Sequence, residues 1–532
     1  MLAHKTLPIK KELFSSLMYD YLSRYEGLKE FYSFYPDKDG FKNAIQQIAS
    51  YTCDRGLLVS EIKKQNELVS NTSEKSKANL ELLLNANTYT ITTGHQLCLF
   101  TGPLYFIYKI FSVINLAEKL KTEFPANNFV PVYWMASEDH DFAEVNHLTV
   151  YGKKLEWNSD EKGAVGDFST AGLKEVVVQL KEILGDSVNA SRLIQLFEEA
   201  YLKHTNLALA TRFLVNELFG KYGLIVLDGT SADLKRSFAA FFEKDIFENI
   251  PFQKVDSSIK KLTQSKYEAQ VNPREINCFY MENGLRARIE KSENSYKVID
   301  TSLTFSEAQL KGLIFKSPEK ISPNVVLRPC YQQYILPNLS YVGGPGELAY
   351  WLEYKEMFEA LGLFFPVLTP RKFVTILDIN SLNKLSKLGL EMENIMENEQ
   401  EMIKLYLEKS NKSFNLEEYK KSIENLFQSI SSEMNKIDKT LVSSAEAEKQ
   451  KNLNSLSVLE QKATRAIKAK SDTEVNQIKN IKSKLYPNGV PQERVENFAA
   501  HYAKWGDDFM NVLKDKLTYD LNKNTIDIVF EN

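Results

Sequence analysis

The chain has 532 residues, 43% hydrophobic and 11% aromatic, enough to bury a large core and to divide into more than one domain. Its 66 Lys and Arg against 70 Asp and Glu leave a formal charge of -4, which gives no electrostatic argument for a nucleic-acid partner. Cys53, Cys98, Cys278 and Cys330 lack metal-type spacing and read as reduced thiols, Met1 to Lys11 holds no apolar signal core and no run is apolar enough to span a bilayer, so the expected setting is the cytoplasm with no membrane partner.

From Ile9 to about Ala86 the pattern is helical and charged, with Leu13, Leu17 and Tyr21 on one face and Leu80, Leu83 and Leu84 on another. Tyr89 to Thr93 is β-branched and aromatic, which suits a buried strand, and it breaks into the turn Gly94-His95-Gln96. A helix to about Lys121 follows, with Thr101 expected as its N-cap and Pro103 near its first turn. Phe129 to Met135 is a second buried strand. A strand-helix-strand order is a right-handed parallel crossover in nearly all cases, so the two strands end on one edge. The loop Glu138-Asp139-His140-Asp141, with Glu144 and His147 behind it, is therefore expected to face Gly94-His95-Gln96 where open α/β sheets bind ligands.

An excursion from about 148 to 220 reads as β pieces and two helices before the third strand, Leu224 to Asp228. A second runs through helices to about Ser265 and strands around an Asn283-Gly284 turn. The chain returns through Val325 to Arg328 and Leu339 to Val342 to Gly343-Gly344-Pro345-Gly346-Glu347, which opens a helix, and Phe364 to Thr369 is the last of five core strands. Beyond Arg371 no glycine occurs between Gly389 and Gly489 and no proline between Pro370 and Pro487, while Leu416, Tyr419, Ile423, Leu426, Ile430 and Ile437 follow a three-four spacing. This pattern predicts an antiparallel coiled coil turning between Ser443 and Asn454. The expected domains are 1–378, an α/β core with insertions near 148–220 and 247–324; 379–486, the coiled coil; and 487–532, a C-terminal segment whose β-like run Thr525 to Phe530 rejoins the core.

Three clusters suit chemistry. Gly94 permits close backbone approach, and His95 at a strand end can donate to a phosphate or exchange a proton near neutral pH. The Glu138 to Asp141 run crowds titratable groups that shift one another's pKa values, as a general base requires; without clean ligand spacing, it favours amine recognition and base work over a metal. The amides of Gly343 to Gly346 suit an anion, although neither a Walker nor a dinucleotide fingerprint is present. Arg328 and Arg371, each expected to follow a core strand, suit a bidentate clamp on carboxylate or phosphate.

Thr93-Gly94-His95-Gln96, Thr101-Gly102-Pro103-Leu104-Tyr105, Trp134 to Phe142, Gly344 to Trp351, Pro366 with Pro370-Arg371, and Tyr486-Pro487-Asn488-Gly489 with Gln492-Glu493-Arg494 together resemble the BshC family, the cysteine-adding enzymes of bacillithiol biosynthesis. The resemblance implies a Rossmann-type parallel-sheet core with connecting-peptide insertions, related in architecture to class I aminoacyl-tRNA synthetases, and a coiled coil that makes a homodimer. It implies an amide-forming ligase joining cysteine to glucosaminyl malate, with carboxylate activation by ATP, ADP or AMP as product, and magnesium only as a companion of the nucleotide. On that reading His95, Gln96, Asp139, His140 and Asp141 are catalytic, with His95 and Gln96 also stabilising phosphate charge. Thr93, Gly94, Gly343, Gly344, Gly346 and Arg371 bind the nucleotide, and Glu138, Arg328 and Glu347 bind substrate. The synthetase motifs His-x-Gly-His and Lys-Met-Ser-Lys-Ser are absent, and His95-Gln96 takes the first one's position only. The alternatives are a nucleotide-binding coiled-coil dimer that senses or scaffolds without catalysis, and a metal-dependent hydrolase.

Overall fold

Five strands that are almost wholly buried form the central sheet of the computed structural model, which describes residues 2–410, 412 and 414–531. They are β1 (Thr88–His95), β2 (Asn128–Met135), β3 (Ile225–Asp228), β4 (Asn338–Gly343) and β5 (Val367–Pro370). Their spatial order is β3-β2-β1-β4-β5 and every pairing is parallel. The register sets His95 beside Met135 and Met135 beside Asp228, so these strands end along one edge. The chain steps from β1 outward through β2 to β3, then crosses to β4 on the other side of β1. The carboxyl ends of β1 and β4 therefore flank the topological switch point, where such sheets open a crevice.

Helix α1 (Tyr105–Glu123) returns from β1 to β2, and its side chains from Phe106 to Ala117 are all buried. Thr101 does not cap it. Thr101 (φ 73°) and Phe100 (φ 49°) occupy the left-handed region, and the Thr101 hydroxyl is buried without a partner. A residue with φ > 0 cannot serve as the extended N-cap. Val325 to Arg328 is not a strand either. The Asn324 side chain accepts from the Val326 and Leu327 N–H groups, and with Pro329 in its first turn the helix Arg328–Ile335 begins there. The first excursion holds a hairpin, His147–Val150 with Lys153–Glu156, and three helices rather than two, because Ser187 and Asn206 each cap a new one. The second carries the antiparallel strands Cys278–Glu282, Leu285–Ser292 and Ser295–Val298.

Residues 2–375 and 492–529 form one compact unit, and residues 376–491 belong to another. In the first, the late strand Thr525–Glu531 is tied to the N-terminal strand Leu2–Pro8 by His4 Nε2 at 2.7 Å from Asp527, whose other oxygen lies 3.0 Å from Lys372 Nζ. In the second, helices Glu417–Ile437 and Val442–Lys470 lie antiparallel, with Lys420 Nζ 2.8 Å from Glu460. The turn comes earlier than the Ser443 to Asn454 region. Asp438 accepts from Thr440 N–H at 2.8 Å and stops the first helix there, whereas the serines beyond it lie along the next helix. No helix among the described residues is long and apolar enough to cross a membrane.

Candidate functional site

A cleft of about 700 Å³ lies over the carboxyl ends of β1, β2 and β4. His95, the last residue of β1, is 7% exposed and packs against Tyr105 and Phe106. Its Nδ1 is 2.8 Å from the Gln96 carbonyl, which can only accept, so Nδ1 carries the proton and Nε2 presents a lone pair. That Nε2 is buried without a partner. Burial first, then the Lys109 ammonium, pull the His95 pKa down to about 3, so the ring is neutral at physiological pH. A neutral acceptor cannot donate to a phosphate. The expected role of His95 in donating to a phosphate does not suit this state, which offers an acceptor at Nε2.

Gln96 joins the two loops that the sequence sets face to face. Its Nε2 donates to Asp139 at 2.8 Å and to Glu144 at 2.7 Å, so this amide is also committed away from phosphate. Asp139 further accepts from the His140 and Asp141 N–H groups, which fixes the turn. His140 Nδ1 accepts from Arg286 Nη1 at 2.6 Å, and burial with that guanidinium lowers its pKa. Glu138 is paired with the wholly buried Lys235 and accepts from Ser322 Oγ, so it is neutralised within the protein. Asp141 is exposed and lies outside the cleft lining.

On the β4 side, helix α2 (Pro345–Trp351) carries Glu347 inward. Glu347 accepts from Lys109 Nζ at 2.7 Å, Tyr341 Oη at 3.0 Å and Gly344 N–H at 2.9 Å; Lys109 also donates to the Gly94 carbonyl at 2.5 Å. Burial alone would raise the Glu347 pKa, but Lys109 and the Gly344 N–H more than offset it and hold it below the usual value. Glu347 is thus a fastening between α1 and α2, its charge balanced by Lys109. Gly344 and Gly346 line the cleft; Gly343 does not, because the Leu348 side chain fills the space beside it. Thr93 is wholly buried and donates to the Val342 carbonyl at 2.7 Å, beneath any ligand.

Arg328 does line the cleft, from a helix start rather than a strand end, donating to Gln332 at 2.8 Å and standing over Trp134 and Tyr341. Arg371 is 2% exposed and is itself clamped by Glu493, with Nη1 at 2.9 Å and Nη2 at 2.5 Å from the two carboxylate oxygens. Lys109, Lys235, Arg286, Glu493 and Arg494 were absent from the expected site. Lys109 had a legible signal, as the only charged residue between Tyr105 and Ala117. Arg286 had none, since it comes from a hairpin whose placement depends on tertiary folding.

A parallel sheet wound in this order, with a polar cleft at its switch point, is a Rossmann-type fold with room for a small molecule. The family model described as "Bacillithiol biosynthesis BshC, N-terminal Rossmann-like domain" matches residues 2–372, and "Bacillithiol biosynthesis BshC, C-terminal coiled-coil domain" matches residues 374–526. The chain belongs to the BshC family. Relatives named "Putative cysteine ligase BshC" include one from Flavobacterium psychrophilum, 42% identical over 512 residues and 96% of each chain. One from Flavobacterium johnsoniae is 40% identical over 97% of this chain and 98% of its own, and one from Cytophaga hutchinsonii is 40% identical over 91% of each. A solved "putative arginyl t-RNA synthetase" from Campylobacter jejuni covers 83% of this chain and 98% of its own at 12% identity, with a TM-score of 0.22 that carries no argument. The chain is accordingly a ligase of bacillithiol biosynthesis that forms a carbon–nitrogen bond.

Proposed function

We propose that the cleft joins the carboxylate of cysteine to the amine of glucosaminyl malate. The observation that carries this reading is the polarity of its walls. Asp139 and Glu144, linked through Gln96, make no ion pair with a lysine or arginine among the described residues, and the same cleft is lined by Arg274, Arg286 and Arg288, of which Arg286 donates to His140 beside Asp139. A ligand that carries both an amine and two malyl carboxylates fits a lining that offers carboxylates and arginines together. Asp139 or Glu144 holds the amine and takes its proton as the amide forms. His95 Nε2 orients the same end by accepting a hydrogen; with a pKa of about 3 it is a poor base.

ATP, when bound, supplies the activation that turns the cysteine carboxylate into an acyl donor. The open space beside Gly346, where a Cβ would meet nothing within 4 Å, supports a ligand's approach there. A glycine in the first turn of a helix costs stability relative to alanine, and the bare backbone leaves the approach of a ligand unhindered. Gly346 would hold the phosphates, with Gly344, whose N–H is taken by Glu347, giving only close backbone approach. Pure protein given cysteine, glucosaminyl malate and ATP is expected to yield bacillithiol with AMP or ADP. Bond cleavage abolished by a chelator would make it a hydrolase, and binding without turnover would make it a scaffold.

The reading includes a homodimer through the helical hairpin. Helix Glu417–Ile437 buries none of its residues, and Tyr419, Leu426 and Ile437 are 64%, 57% and 79% exposed. Such a stripe is commonly covered by a second copy across a two-fold axis. Replacing Ile423 and Ile430 by aspartate would bury unpaired charge in that seam. The double variant is expected to sediment as a monomer with unchanged tryptophan fluorescence. A dimer as tight as the parent at low micromolar concentration would put dimerisation elsewhere.

A further inference from the structure

The Gln492-Glu493-Arg494 run, so far explained only by its clamp on Arg371, also brings a charge to the cleft. Around it the backbone is pinned. Glu493 grips Arg371, the Leu104 N–H donates to the Glu496 carbonyl at 2.8 Å, and the buried Asn497 Nδ2 donates to the Phe100 and Gly102 carbonyls at 2.9 and 2.6 Å. Between these anchors stands Arg494. Its guanidinium lies 6.0 Å from the centre of the Tyr105 ring, lines the cleft, and makes no ion pair with another described residue.

Arg371 stands 5.5 Å from the same ring. Its Nη atoms are spent on Glu493 and the Lys372 carbonyl, but its Nε is buried without a partner. A Cβ on Gly344 would sit 3.5 Å from that Nε, in ordinary contact. Gly344 has φ -75° and ψ 171°, backbone that any residue adopts, so the turn does not require glycine. What the missing side chain does is keep a methyl group out of the space beside Nε. A buried donor without an acceptor costs free energy unless something else completes it. The ion pairs Lys109–Glu347 and Arg371–Glu493 cancel, which leaves Arg494 and Arg328, neither in an ion pair among the described residues, as net positive charges here.

We propose that Arg494 and the Arg371 Nε form an oxyanion subsite beside Tyr105, taking a phosphate or carboxylate group of a substrate. Its existence rests on this geometry, and only the identity of the substrate rests on the ligase reading above. Arginine donors give charge-assisted hydrogen bonds to such groups. The His95 lone pair next to Tyr105 repels an oxyanion, so the ligand sets its anionic group on the arginines and a hydrogen-bearing group on His95.

The test is calorimetric titration of the full chain with sodium pyrophosphate and, separately, with malate, because binding needs no turnover. Arg494→Gln and Gly344→Ala should each weaken the same probe by tenfold or more: pyrophosphate if a phosphoryl group is the ligand, malate if a carboxylate is. Lys297→Gln, an exposed cation outside the cleft, should stay within twofold of the parent. Unchanged tryptophan fluorescence would confirm that the variants fold. The subsite is overturned if Arg494→Gln binds both probes as the parent does, if Lys297→Gln loses as much, or if the parent binds neither at millimolar concentration. Arg494-dependent binding in a protein that never ligates would sink the ligase reading and leave the subsite standing.

Discussion

Glu493→Ala should lower the unfolding free energy of the Rossmann unit by about 3–5 kcal/mol, the cost of leaving one partner of a buried ion pair uncompensated. Arg371 is 2% exposed and Glu493 accepts both its Nη groups, so removing the carboxylate strands a guanidinium with the Lys372 carbonyl as its one remaining hydrogen-bond acceptor among the described residues. Glu493 also accepts from the Val374 N–H, which is stranded with it. Urea denaturation followed by tryptophan fluorescence isolates the effect, because Trp134, Trp157, Trp351 and Trp505 all lie in that unit. Replacing both partners, as Arg371→Met with Glu493→Leu, should recover most of the loss, since an apolar pair removes the stranded charge instead of exposing it. A double variant no better than Glu493→Ala would show that the pair is not the source of the loss.

Lys109→Met should cost a similar 3–5 kcal/mol near pH 7.5, and the cost should shrink on acidification. In the parent the Glu347 pKa is held down, so the stability it contributes is present above the ordinary carboxylate pKa and is lost as pH falls through the lowered value. Without Lys109, burial dominates and raises the Glu347 pKa. The stranded carboxylate then takes up a proton on mild acidification and stops destabilising the fold. Denaturation curves of parent and variant should therefore converge between pH 7.5 and 5. A difference independent of pH would mean that lost packing of the lysine stem, not the stranded charge, sets the cost.

Much of this architecture was readable because its elements obey local rules. The core strands are short runs containing β-branched or aromatic residues and closed by turn residues, and a crossover of fixed hand then puts their carboxyl ends on one edge. That reasoning placed Gly94-His95-Gln96 opposite Glu138 to Asp141, and the Gln96 bond to Asp139 joins them. The misplaced boundaries arose where local rules compete. Thr101 reads as a cap, but the loop around it is strapped by Asn497, which is remote in sequence. Asp438 ends its helix ahead of the serines that read as the turn. The roles of the site residues were least legible, since a role depends on what neutralises the group. Glu138 and Glu347 look like substrate ligands until Lys235 and Lys109 are found against them, and Arg371 looks like a clamp until Glu493 is found holding it. None of these pairings leaves a mark in the spacing of the chain.

The central claim, that ligation occurs in this cleft with His95 as a neutral acceptor, is tested most directly by the turnover of His95→Asn in the coupled assay with cysteine, glucosaminyl malate and ATP. Asparagine is smaller and loses the Nε2 lone pair at its fixed position, while the strand-end backbone and the Lys109–Glu347 fastening stay in place. The account predicts a fall in turnover of 100-fold or more, about 2.7 kcal/mol of barrier, with a thermal unfolding curve close to the parent's. Turnover within a few-fold of the parent would remove His95 from the chemistry and contradict the claim.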